Sequence, residues 1–574
     1  MARESGENGS GQTARANAAL LYAPSGYVAK DEIKGRHAAG EAFLKAFARH
    51  GGLETFYAYC QTRAQAEAFA RQLHGFTGSR TACVHIPLDR IERAAEPGTL
   101  YRPDPLIAPQ TWQRRHGDQR GFSICGVTHT TSSEGAMAGL AELLSAPVQP
   151  WDAVICTSEA VRDMVLRQIE SQAAYLESRF GVRATLACQT PVIPLGVHSD
   201  DYAATPGRRA AGQALRQRLG IAEADIAGLF LGRLSFHAKA NPFPMYSAMQ
   251  AAAVRSGRRL HLIQAGWFAN DWIETAFKEA AAEIAPEVTC HFLDGGDPAV
   301  RSEVWHAADL FLSFSDNIQE TYGLTPLEAM AAGLPVVVSD WDGYRQTVRP
   351  EIDGLTVPTW QPQPGSAPGL ARSFAAEMFN YDHYIGYASQ SVAVEIDAAA
   401  EAVTRLVEDA ELRRKLGAAG ARRAREVFDW RHVIAAYQAL WGELAARRAR
   451  DTEVAPLGAA ETAPHPSRGD PTRLFAGYPT EYLGKDTVVT LASDVPETRL
   501  AALEGLKLAS FGAERRLPAR HRQELLAQLS AKPLTLKALL AELPEADREA
   551  AIATLAWLAK LGVVRLSRSG GKDD

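Results

Sequence analysis

The sequence predicts an α/β protein with two doubly wound, Rossmann-like domains facing a cleft and a small, mostly helical, winged-helix-like domain at the C-terminal end. Three observations carry that expectation. Short apolar strands alternate with longer helical patterns in two successive series. At 574 residues the chain is too long for a single core. Residues 451–471, DTEVAPLGAAETAPHPSRGDP, are rich in Pro, Ala and Gly without apolar periodicity, and read as a linker before the last domain.

Taken in order, residues 1–18 are polar, lack the apolar core of a signal peptide, and read as a flexible start. Residues 19–204 form the first domain. ALLYAPS leads into GRHAAGEAFLKAFARH and TFYAYC into QAEAFARQL, and TACVHIP, FSICGVTHT and DAVICTS follow as further strands. The second domain, 205–431, carries the strands IAGLFLG, RLHLIQAG, VTCHFLDG, DLFLSFSD, PVVVSD and GLTVPT, with helices between. Residues 432–450 continue a helical region and are expected to return to the first domain. In 472–574, TLKALLAEL and DREAAIATLAWLAKL read as helices, the second stopped by Gly562, and VVRLSR as a strand.

Composition excludes several classes. Hydrophobic residues make up 46% and charged residues 22%, the balance of a globular protein. A net charge of −6 gives no reason to expect a nucleic-acid partner. The terminal helices mix Lys537, Glu542, Glu545, Asp547, Arg548, Glu549 and Lys560, with no basic stripe for DNA, so a protein partner is the better expectation there. No run of about 18 apolar residues reads as a membrane span. The six cysteines, Cys60, Cys83, Cys125, Cys156, Cys188 and Cys290, are widely spaced and strand-like, and read as buried thiols in a reducing cytosol.

One stretch carries the chemistry: QETYGLTPLEAMAAGLPVVVSD, residues 319–340, with Glu320 and Glu328 on either side of a Gly-Leu-Thr-Pro turn. Thr325, Pro326 and Glu328 spell a helix start with a capping box, which is the plain alternative for Glu328; for Glu320 it is a solvated loop acid. A helix N-terminus suits a phosphate, and Gly323 lets backbone approach a ligand. Carboxylates flanking such an anion site fit hydroxyls, so an anion with a polyol at each end is expected: ribose, diphosphate, sugar. Arg233 and Lys239 lie in the loop after IAGLFLG, where cations would meet charge growing on a departing diphosphate. Their plain alternative is a pair of solvated surface cations.

With these residues in view, the chain resembles the retaining, GT-B-fold nucleotide-sugar glycosyltransferases of family 4 over residues 19–449. The resemblance rests on the E-x7-E pair Glu320 and Glu328, on Arg233 with Lys239, on EAMAAGLPVVVSD, and on IPLGV at 193–197. It implies that Glu328 holds the ribose hydroxyls and Glu320 the sugar hydroxyls. Arg233 and Lys239 would bind the diphosphate, with the backbone of Gly323, Leu324 and Thr325. His129, in CGVTHTT, matches a histidine beside the transferred sugar, against the alternative of a satisfied strand-end histidine. Gly35 matches one glycine of a first phosphate-contacting loop, although that loop is longer here and lacks the adjacent glycine pair. Where the family often reads Gly-x-x-Glu, this chain has Gly343-Tyr344-Arg345-Gln346, and Gln346 receives no role.

The implied reaction is transfer of a hexose-type sugar from a nucleotide sugar to a glycan, lipid or protein acceptor, without metal or other cofactor. The expected place is the cytoplasm, including the inner face of the membrane. Asp340-Trp341-Asp342 spells the Asp-x-Asp of a different, metal-dependent transferase fold, but the cations already supply the charge a metal would. A nucleotide-sugar epimerase on the same fold, and a non-catalytic scaffold acting through the last domain, remain the alternatives.

Overall fold

The computed structural model describes residues 15–27, 35–458, 465–492 and 497–568, in two compact units that divide between His465 and Pro466. The first unit holds two six-stranded sheets. One comprises β1 (Ala19–Leu21), β2 (Thr55–Cys60), β3 (Ala82–Pro87), β4 (Thr99–Tyr101), β5 (Ser123–Val127) and β6 (Ala153–Ile155) in the order β3-β2-β1-β4-β5-β6. The other comprises β7 (Ile226–Leu231), β8 (Leu260–Gly266), β9 (Val288–Asp294), β10 (Leu310–Ser313), β11 (Val336–Ser339) and β12 (Gly354–Val357) in the order β12-β11-β10-β7-β8-β9. All their pairings are parallel. This is the two-domain GT-B arrangement. Strands such as SICGV and VVVS are buried along their whole length because helices cover both faces. β4 was not anticipated: Thr99–Tyr101 is three residues long, yet it sits at the centre of its sheet.

In each sheet the strand order reverses once, between β1 and β4 and between β7 and β10. Successive crossovers leave in opposite directions there, which opens a crevice beyond the carboxyl ends. The loops after β7 and β10 carry Arg233, Lys239 and Glu320 to the second crevice.

The chain crosses between the domains twice, and the crossings are paired. Val197 N–H donates to Phe428 O at 2.8 Å, and Trp430 N–H donates to Val197 O at 3.1 Å. Asp429 accepts from the Ser199 backbone and hydroxyl and from Arg431, and its carboxyl is held below the usual range: burial pushes it up, but the Arg431 and Ser199 hydrogen bonds outweigh that. From there the helix Trp430–Arg450 runs into the first domain, where Trp430, Tyr437 and Trp441 pack with Phe43, Phe47 and Tyr101. The stretch read as a linker is in part attached: Gln149 Nε2 donates to Val454 O at 2.6 Å, Val454 N–H returns to Gln149 Oε1 at 2.8 Å, and Arg115 donates to Ala455 O. Its Pro-rich composition concealed these backbone anchors. Residues 459–464 of it, like residues 1–14, lie outside the described ones.

After β12 comes a short antiparallel pair, β13 (Thr359–Trp360) and β14 (Ala393–Val394). The second unit is built on a three-stranded antiparallel sheet, β15 (Thr487–Leu491) between β16 (Leu534–Thr535) and β17 (Val564–Arg568). Leu525, Leu529, Leu536, Leu539, Leu555 and Leu558 of three helices pack on Val489. β15 and the helix Ala519–Ala531 add to the two helices and strand read from sequence. Among the described residues no helix is long and apolar enough to cross a membrane, and all six cysteines are free thiols.

Gly196 lies under the Trp430 ring, where an added Cβ would come within 2.5 Å of it. We expect Gly196→Ala to destabilise the first unit by about 1–3 kcal/mol through overpacking. Gly442, mid-helix with open space around its Cα, should respond oppositely, gaining about 0.5–1 kcal/mol as Ala. Denaturant titration of both variants checks the contrast.

Candidate active site

The first element of the site is the start of the helix Leu324–Ala332. Sequence spacing placed Thr325 at its N-cap, but the N-cap is Gly323, and no side chain caps the helix. Gly323 has φ 86°, and a Cβ there would lie 1.8 Å from the Tyr344 ring, so only glycine enters this turn. Thr325 is therefore inside the first turn, with its hydroxyl buried and unpartnered. Glu328 does not form a capping box. Its Oε1 accepts from the Tyr202 hydroxyl at 2.8 Å, and burial pushes its carboxyl above the usual range against the lowering effect of that bond.

Glu320 stands before the turn and forms a part-buried ion pair with Lys239. Burial would raise the Glu320 carboxyl, but the Lys239 charge and hydrogen bonds from the Tyr322 and Thr321 backbone hold it below its ordinary range. Burial disfavours the Lys239 ammonium, yet Glu320 raises it above its ordinary value, so both stay charged at neutral pH. Arg233 donates to Ala238 O at 2.7 Å and to the Gln319 side chain. Burial lowers its guanidinium, partly offset by Asp382, Tyr381 and Glu320.

The first domain meets this loop through polar contacts. Thr321 donates to His129 O at 2.5 Å, Thr157 donates to Thr321 O at 3.2 Å, and Ser158 donates to Asp342 Oδ1 at 3.3 Å. His129 thus stands next to the residue that follows Glu320. Gln346, given no role from sequence, accepts from Glu159 N–H at 2.7 Å, at the start of the helix Glu159–Phe180. Gly35 begins the helix Gly35–His50, whose Ala39 is buried in the apolar cluster that holds Tyr322 and Leu327. Loop residues 28–34, to which its expected phosphate contact belongs, lie outside the described residues.

The structure thus brings together Arg233, Lys239, Glu320, Gly323, Leu324, Thr325 and the His129 backbone, with Glu328 one helical turn further on. The partners Gln319 and Tyr202 were missed: neither belongs to a spacing pattern, and each acts through one side chain met in space. Of the Asp-x-Asp pair, Asp340 faces Arg345 at 3.5 Å while Asp342 turns to Ser158.

Residues 213–364 match the family model described as Glycosyl transferases group 1. That segment is similar to this family. Curated proteins also match the chain over part of its length. A D-inositol 3-phosphate glycosyltransferase of Geodermatophilus obscurus is 28% identical over 299 residues, 51% of this chain and 56% of that protein. An alpha-monoglucosyldiacylglycerol synthase of Streptococcus pneumoniae is 29% identical over 188 residues, 32% of this chain and 37% of the other. The chain therefore spans little more than half of the first relative's length and less of the second's. Among solved structures, the Anabaena HepE protein in complex with UDP aligns at a TM-score of 0.46 and 15% identity, over 71% of this chain and 96% of that one.

Asp342 is half-buried, with one buried carboxyl oxygen unpartnered, and desolvation pushes its carboxyl up to about 7. An acid that resists ionisation only when folded contributes its stability at low pH. That contribution is lost as pH rises from the ordinary carboxylate range, about 4, through 7. Asp342→Asn should therefore melt with wild type at pH 4 and about 2–4 °C above it at pH 8, as read by calorimetry.

Proposed function

We propose that the chain is a retaining glycosyltransferase that moves a hexose-type sugar from a nucleoside-diphosphate sugar to an acceptor without a metal. The observation that carries this reading is the part-buried Lys239–Glu320 pair, set in the second crevice with Arg233 and the uncapped Leu324–Ala332 helix start. Two cations and free helix N–H groups suit a diphosphate, and the unpartnered Thr325 hydroxyl offers one more donor. Carboxylates on either side suit polyols. Glu328 already accepts from one hydroxyl, that of Tyr202, as it would from ribose.

In the reaction, the bond from the sugar carbon to the phosphate oxygen breaks, and its electron pair leaves with the nucleoside diphosphate. Arg233, Lys239 and the helix start stabilise that growing charge. Glu320 holds the sugar hydroxyls, and His129 lines the sugar from the first domain. The acceptor oxygen attacks the same face, and its proton passes to the leaving phosphate oxygen. Lys239 is then shared between Glu320 and the diphosphate, so donor binding adds negative charge without removing the pair. The second unit presents the acceptor or holds a protein partner, raising its local concentration.

Arg233→Ala and Lys239→Ala should each lower turnover on the order of 10²–10³-fold in a donor-dependent transfer assay. Rates within a few-fold of wild type would sink the site. Activity should persist in EDTA; loss on chelation, restored by Mn²⁺, would return Asp340 and Asp342 to consideration as ligands. Removing residues 466–574 should leave donor binding intact, measured by calorimetry, and alter transfer to acceptor. Lost donor binding in a folded truncated chain would place the second unit in the donor site.

A further inference from the structure

The family match ends at residue 364, just inside the excursion that β13 and β14 enclose. This excursion folds as two helices, Pro368–Ala375 and Tyr381–Ser389, joined by a stack of Phe374 on Tyr384 with centroids 4.1 Å apart. It is fastened to the crevice. Ile385 is fully buried, and the buried Asn317 side chain donates to His237 O at 2.8 Å and to Ile385 O at 3.5 Å. Asn380 caps the second helix by accepting from His383 N–H at 3.1 Å, which sets Tyr381 in its first turn.

The Tyr381 hydroxyl then meets two groups. Ser132 Oγ, buried in the first domain after β5, lies 2.9 Å away, and Gln319 Nε2 donates to the same hydroxyl at 3.3 Å. The other end of the Gln319 amide accepts from Arg233, and the Gln319 backbone is held by Asn317 at 2.9 Å. Ser132, Tyr381, Gln319 and Arg233 therefore form one hydrogen-bonded chain from the first domain to a cation of the second. We infer that Tyr381 is a positioning residue, which makes the aim of Arg233 depend on contact between the two domains.

The physical reason lies in the Gln319 amide. With Tyr381 and Arg233 at its two ends, its oxygen is presented to the guanidinium and its orientation is settled. Without the tyrosine hydroxyl the amide can rotate, and Arg233 keeps only the Ala238 carbonyl as a partner of the same nitrogen. Asp382, adjacent in sequence, adds a charge that favours the ionised guanidinium. A helix pair outside the family match thereby governs a residue inside it.

The inference rests on the reading of Arg233 as a diphosphate ligand, and the test separates the two. Full-length wild type, Y381F, S132A and the double variant are titrated by calorimetry with UDP, GDP and ADP and with the corresponding monophosphates. Wild type should favour one diphosphate over its monophosphate. Y381F should cut that preference about tenfold while leaving monophosphate affinity within about twofold, because only the Arg233 contact is disturbed. S132A should act in the same direction, and the double variant should be no worse than Y381F, since both remove one shared link. Equal losses for monophosphate and diphosphate, multiplying losses in the double variant, or a Y381F preference matching wild type would overturn the inference. Wild type with no diphosphate preference would instead overturn the donor-site reading, and this inference with it.

Discussion

The two sheets are positioned by one local constraint, the pairing of the chain's two interdomain crossings at Val197 and Phe428–Trp430. An isolated parallel bridge of backbone hydrogen bonds ties the outgoing segment to the returning one, and Trp430 presses on Gly196, where no side chain intervenes. The returning helix then sinks Tyr437 and Trp441 into the first domain's core, so the crossing cannot slip without exposing aromatic surface. Everything beyond depends on it. The loop after β5 meets the loop after β10 only because the crossings fix how the two crevices face each other.

Within that frame the site has an electrostatic problem of its own. Lys239 and Glu320 are both largely withdrawn from water, which is unfavourable for each ion alone. Paired, and with backbone N–H groups on the carboxylate, they persist as ions in a place where either partner alone would tend to neutralise. The pairing thus keeps the cation charged. Gly323 is the geometric counterpart: its left-handed turn, with no side chain against the Tyr344 ring, leaves the helix start bare.

Much of this was legible from the sequence. The six strands of the second domain are long or strongly apolar, and all but β10 end in or directly before Gly, Asp or Pro, so periodicity and punctuation largely agree. β4 was not legible, because TLY between Gly98 and Pro103 is too short to show a period and owes its place to neighbours on both sides. Arg233 and Lys239 were legible as cations in a loop at a strand's carboxyl end, and Glu320 as an acid just outside a helix start. The capping box at Thr325 was a misreading: the pattern was present, but Tyr202 claims Glu328, and the turn at Gly323 starts the helix earlier. Composition likewise hid the attachment of 451–458, since hydrogen bonds to backbone leave no mark on side-chain identity. The roles of Gln319, Tyr381 and Gln346 arise from folding alone.

The face between the two domains around the site has a character that bears on motion. Ser132, Thr157, Ser158, Thr321, Gln346 and Tyr381 supply it with neutral hydroxyls and amides. Each such bond exchanges for one to water at little net free energy, about 0.5–1.5 kcal/mol apiece. Gln346 satisfies a helix N–H that water would satisfy as well if the faces parted. Any parting of these faces would exchange such bonds for bonds to water, and a ligand would tip that equilibrium only by binding one state better than the other. A tenfold preference corresponds to about 1.4 kcal/mol, comparable to a single bond of this face. One hydroxyl of this face thus carries enough free energy to shift such an equilibrium by up to about tenfold.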